Sequence, residues 1–147
     1  MVKSSVAPQF KPQGGVTLKA WFGLGLLLVL PGLALARLAG GLDWRVLFGI
    51  PVVLSTLTYF TYRSDKRSSE SGDGRTPEST LHLGEFLGGW PGAFLAQRRY
   101  RHKNAKFSYH VIFWMIVALH QLVALDLLLG WQLMHGMIQL FQTALAS

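Results

Sequence analysis

Glu78, His82 and Glu85 stand at positions i, i+4 and i+7, so a helix would carry all three on one stripe. A carboxylate beside an imidazole is raw material for proton transfer: Glu85 suits a general acid or base, and His82 a relay. Further on come Arg98, Arg101, His102 and Lys103. Arginine's planar fork holds a phosphate through two parallel hydrogen bonds, so the two clusters together could serve a phosphate-bearing lipid or nucleotide. The same residues also have a structural use. Acids and guanidiniums that meet at a membrane interface neutralise charge that lipid would penalise. That use is the leading expectation here. Glu85, His82 and Asp65 are the catalytic candidates of the enzymatic alternative. Arg98, Arg101, His102 and Lys103 are the expected contacts to an anion or a lipid headgroup.

Other polar groups are weaker signals. Asp65-Lys66 reads as the end of an apolar helix, with Thr58, Thr61 and Asp65 on one face. Its plain use is an interfacial ion pair; its sharper one brings Asp65 to Arg75 or Arg98. His82, Glu85, Asp65 and His102 are metal-ligand types, but their spacing arises often by chance, and neither a metal nor a cofactor is expected. His120-Gln121 and Asp126 fall in or near an apolar run, where polar residues either join helices or mark a path for ions. Gly88-Gly89 lacks the spacing of a phosphate loop, and no serine elbow or kinase pattern occurs.

Four short elements carry a resemblance: Tyr62-x-x-Asp65-Lys66, Arg75-Thr76-Pro77-Glu78, Leu81-His82-x-x-Glu85-x-x-Gly88-Gly89-Trp90-Pro91-Gly92, and Gln97-Arg98-x-x-Arg101-His102-Lys103. Their order and spacing, over roughly residues 20–125, resemble the domain-of-unknown-function 1294 family. The resemblance implies a small membrane module, in bacteria often joined behind a cold-shock domain, and it supplies no established activity. Residues 1–15 are too short for a cold-shock domain, so nucleic-acid binding is not expected of this chain.

Composition agrees with a membrane setting. Of 147 residues half are hydrophobic and 14% charged, and the mean hydropathy is +0.32. A soluble domain this small could not hide so much apolar surface. The absence of cysteine excludes disulfides, thiolate metal sites and a cysteine nucleophile. The net charge of +7 fits Lys and Arg gathered on the cytoplasmic side.

The elements that must position these residues follow from the apolar runs. Residues 1–15 read as a loose cytoplasmic tail. Spans are expected at about 20–38, 44–62 and 107–127, each bounded by basic or aromatic residues. Pro31-Gly32 is expected to kink the first. Ala34-Leu35-Ala36 also has the form of a signal-peptide cleavage site, although the segment before the apolar run is long for one. Residues 63–76 read as a polar loop. Thr76 is the expected N-cap of the next helix, with Pro77 in its first position.

Leu81–Leu87 is then broken by Gly88-Gly89-Trp90-Pro91-Gly92. If both the 63–76 loop and the basic stretch at 98–106 lie inside, the 77–101 segment cannot cross. It would enter and return as a hairpin or lie in the interface, with Glu78 and Gly88–Gly92 as its structural residues; a fourth span is the alternative. Residues 131–145 alternate as an amphipathic helix on the far interface.

The expectation is therefore an all-α integral membrane fold in the cell membrane, multi-pass, with a cytoplasmic N-terminus. Its function is expected to be non-enzymatic, a basic cytoplasmic face touching anionic lipid, a protein partner or another copy of the chain. A membrane-embedded enzyme and a small oligomeric channel or transport subunit are the alternatives.

Overall fold

The structure is a computed structural model, and the residues it describes are 15–72, 74, 76–100 and 107–146. Arg75, Arg101, His102, Lys103 and the tail at 1–14 lie outside them. The described residues are mostly helical, with no strand among them. The elements are α1 (Leu18–Leu38), α2 (Trp44–Ser71), α3 (Glu78–Gly84), a wide π-helical turn (Glu85–Gly89), α4 (Trp90–Tyr100), α5 (Phe107–Leu128) and α6 (Gln132–Ala146). Of these, α1, α2 and α5 are long and apolar enough to cross a membrane. Their outward residues, such as Phe22, Leu26, Val52, Leu57, Met115 and Leu122, are exposed. An apolar surface of that extent belongs in lipid.

Local chemistry sets the ends. The Thr17 hydroxyl accepts from the Ala20 N–H at 3.3 Å and caps α1. The helix then runs through Pro31 without a break. Asp43 caps α2 by accepting from the Arg45 N–H at 2.9 Å.

Two boundaries differ from the sequence reading. Residues 63–71, read as loop, continue α2, which ends only where Gly72 turns left-handed at φ +80°. Serines and charges in that stretch suggest a loop, but Lys66 pairs with Glu70 one turn on at 3.0 Å, and Asp65 is buried. At α3, Pro77 rather than Thr76 is the N-cap. The Thr76 N–H is spent elsewhere, donating to Asp65 Oδ1 at 2.7 Å.

The directions of the helices matter most for the site. Gln121 on α5 donates to the Leu27 carbonyl of α1 at 2.8 Å. Arg37, ten residues on in α1, donates to the Leu128 carbonyl of α5. Positions thus rise together, and α1 and α5 run parallel.

Between α2 and α5 the chain follows α2 in both directions. Thr76 meets Asp65, Gly84 lies against Thr58, and Gly88 lies against Leu54. The chain then turns: Gly92 lies against Ser55, Gln97 reaches Tyr62, and Tyr100 donates to the Tyr59 hydroxyl at 3.1 Å. Gly88 makes the turn at φ +111°, a conformation that a side chain would strain.

Two glycines permit close approach. A Cβ on Gly92 would stand 1.8 Å from the Ser55 carbonyl oxygen, and one on Gly89 2.0 Å from the Thr58 hydroxyl. Trp90 is buried between them in sequence, its ring 6.4 Å from that of His120. Pro91 occupies the second position of α4, where its missing N–H costs nothing. Leu81, Ala93, Phe94 and Phe113 fill the apolar core around this segment.

The far end is built differently. Asp126 is an N-terminal anchor for α6, accepting from the N–H groups of Leu133 at 2.8 Å and Met134 at 3.2 Å. The side chains of α6 are otherwise exposed almost throughout.

Candidate functional site

The turn at Gly88 and the wider winding of residues 85–89 swing Glu85 inward. There its carboxylate meets three other elements. Tyr62 of α2 donates to Oε1 and also touches the Tyr109 hydroxyl. Tyr109 of α5 donates to the same Oε1 at 3.3 Å. His82 of α3 lies 2.7 Å from Oε2 through Nδ1. Gln97 of α4 donates to the Tyr62 hydroxyl at 3.1 Å. Every bond drawn to Glu85 is one that a carboxylate accepts. The His82 ring stacks on Tyr109 with centroids 4.3 Å apart and planes at 32°.

This cluster is buried apart from the His82 side chain, which is 14% exposed. Tyr62, Asp65 and Glu85 have no exposed surface, and Tyr109 has almost none. His82 Nε2 is buried and has no hydrogen-bond partner among the described residues. Chemically the dyad is oriented as a general base would be, with Nδ1 held by a carboxylate and Nε2 spare. No route to it is lined by His82 or Glu85 in the grooves near Arg98. The cluster joins α2, α3 and α5 through one carboxylate, and α4 through the Tyr62 hydroxyl.

The sequence stripe of Glu78, His82 and Glu85 is therefore only partly realised. His82 and Glu85 come together; Glu78 stays in the first turn of α3, half-buried. Asp65 does not join Arg98 but holds the Thr76 N–H. Nor does Glu85 meet Arg98, as the pairing of acids with guanidiniums anticipated. The reason is geometric: Arg98 leaves α4 on the side facing α1, away from α2. Its guanidinium carbon lies 3.3 Å from the Phe94 ring centroid, and it donates to the Phe94 carbonyl at 3.2 Å. Burial against that ring lowers its pKa from the ordinary arginine value, although an arginine stays cationic at any physiological pH.

Arg98 shares a groove of about 530 Å³ with Thr17, Lys19 and Gly23 of α1 and with Phe94. Among the described residues no acidic one lines it. Two cations and the capped start of α1 thus face one concavity, an arrangement that favours an anion. Among the described residues no three His, Asp or Glu are grouped to hold a metal ion.

Three residues of the cluster were given no chemical role from sequence: Tyr62 and Gln97, which stand only in the motifs of the resemblance, and Tyr109. For Tyr62 a signal existed. Thr58, Tyr62 and Asp65 lie at i, i+4 and i+7 and are the buried face of α2; Thr61, assigned to that face, instead donates to the Leu57 carbonyl of its own helix. Tyr109 is one of the aromatics at the start of α5, and nothing local distinguishes it from an interfacial anchor.

A search of curated proteins and of solved structures finds no match to this chain. A family model does match. Its limits nearly coincide with the cluster, beginning at Ser55, the residue against Gly92, and ending at Tyr109, which closes on Glu85. Residues 55–109 match the family described as Protein of unknown function (DUF1294), which is the resemblance the motifs carry.

Proposed function

We propose that this chain is a multi-pass membrane protein, N-terminus in the cytoplasm, that engages anionic lipid through a basic face and is not an enzyme. The observation that carries the reading is the shared groove of Lys19 and Arg98, lined by no acid among the described residues. Each Lys or Arg near an anionic membrane surface contributes about 1 kcal/mol of attraction. The sealed state of Glu85 supports a structural role for the acidic stripe over catalysis.

In this reading the 78–100 segment enters and leaves on the cytoplasmic side. The parallel course of α1 and α5 supports it. With α2 as the only return between them, a parallel pair needs both ends of the intervening segment on one side. The depth agrees: Leu54, beside the turn at Gly88, lies about 12 Å along α2 from Tyr62, less than half of a hydrocarbon core of roughly 30 Å. The α6 helix, capped where α5 ends, then lies in the outer interface.

The test is thermal stability of the purified protein with added phosphatidylglycerol or phosphatidylcholine. Phosphatidylglycerol should stabilise more, and the Lys19→Ala/Arg98→Ala double variant should lose the difference. An equal response of the native chain to both lipids would remove the reading. Topology is tested separately by single cysteines at Ser71, Ser108 and Gln142 in this cysteine-free chain. An impermeant thiol reagent should reach the first two from the cytoplasm and the third from outside.

A further inference from the structure

Arg98 stands between two concavities. On the side of α5 a second groove, of about 320 Å³, is lined by Gln97, Arg98, His110, Phe113 and Trp114. Its polar lining is rich in donors and holds no carboxylate among the described residues. Arg98 spends one N–H on the Phe94 carbonyl and has no other bond among the described residues. His110 carries a ring donor in either protonation state. Gln97 is buried at 5% exposure, with its Nε2 committed to Tyr62 and its carbonyl without a partner among the described residues.

His110 and Trp114 also line a third groove, of about 410 Å³, that continues along the outer face of α5 past Val111 to Ala118. From Phe107 to Ala118 this stripe is about 16 Å long, close to the depth of one leaflet. Donors at one end and an apolar channel at the other match an amphiphile, in the orientation of a lipid in the leaflet where α5 begins.

We propose that these two grooves form one binding site for a single phospholipid with a small anionic head. The phosphate lies between Arg98 and His110, beside Gln97, and one acyl chain lies along α5 from Trp114 to Ala118. The proposal rests on the lipid-engaging reading above but assigns the lipid to the α5 side of Arg98, away from Lys19.

Native mass spectrometry of the full chain with phosphatidic acid, phosphatidylcholine and inorganic phosphate tests it. Phosphatidic acid should bind in preference to phosphatidylcholine, and inorganic phosphate alone should not compete, since the acyl chain supplies part of the affinity. His110→Ala and Ala118→Trp should each weaken phosphatidic acid binding about fivefold, the equivalent of about 1 kcal/mol. Both positions are outside the core, so unchanged melting temperatures will show that the fold is kept. Lys19→Ala should leave this binding unchanged. If Lys19→Ala weakens it and the two α5 variants do not, the lipid lies on the α1 side; this proposal then falls and the general reading stands. If no variant matters and both lipids bind alike, both fail.

Discussion

Gln121 Nε2 lies 2.8 Å from the carbonyl oxygen of Leu27, which ties the middle of α5 to the middle of α1 and fixes the two as parallel neighbours. A carbonyl has two lone pairs, so Leu27 accepts this bond without giving up its own helix. Gln121→Leu should therefore lower stability by only about 0.6 kcal/mol, the usual worth of an interhelical hydrogen bond in a membrane. Chemical denaturation in detergent measures it. A loss above about 3 kcal/mol would mean that Gln121 belongs to a larger polar network, as a transport path requires.

Gly92 and Gly25 make a matched pair of tests. Gly92→Ala drives a methyl against the Ser55 backbone, and α2 and α4 must separate. The expected loss is about 3 kcal/mol, the upper end of ordinary overpacking. Gly25→Ala meets nothing within 4 Å and should be neutral or stabilise by up to about 1 kcal/mol. Equal melting temperatures for the two variants would refute the close approach of α4 to α2.

Glu85→Ala removes the one acceptor shared by Tyr62, Tyr109 and His82. Leaving buried polar groups without partners costs about 1–3 kcal/mol each, so this should be among the most destabilising substitutions in the chain. Tyr62→Phe deletes one hydroxyl and should cost less. The reverse order in a thermal melt would show that the tyrosine, not the carboxylate, is the hub.

Asp126→Ala strips the N-terminal bonds from α6. The expected cost is about 1 kcal/mol, confined to that helix. Hydrogen exchange should accelerate at residues 132–146 and stay unchanged at 78–100. Acceleration in both segments would mean that α6 is coupled to the 78–100 segment.

Long apolar runs made α1, α2 and α5 legible, because lipid demands length and the absence of charge and little else. The break at Gly88 was legible too, since a glycine pair followed by proline leaves a helix few alternatives. The extra turns of α2 were not. Arg63, Ser64, Ser68 and Ser69 look like loop, and the buried Asp65 and the Lys66–Glu70 pair, both tertiary or helical facts, help keep the backbone wound. The site was half legible. Glu85 and His82 stood out as a polar pair at helical spacing. Their partners did not, because Tyr62 and Tyr109 lie 47 positions apart and meet only through the folded segment between them. Arg98 was assigned to the acids by charge, but its rotation about α4 turned it toward α1, and charge alone carries no information about rotation.

The way the 78–100 segment borrows its partners has a consequence for biogenesis. Its two arms, of seven and eleven residues, are too short for a translocon to release as spans. Ser55 and Thr58, which its glycines need, arrive earlier on α2; Tyr109, which completes the shell around Glu85, is synthesised after it. A nascent chain stopped short of α5 would hold a carboxylate at the membrane with an incomplete set of partners. On the re-entrant reading proposed above, the segment would dock only after insertion, once α2 and α5 are both in place to close around it.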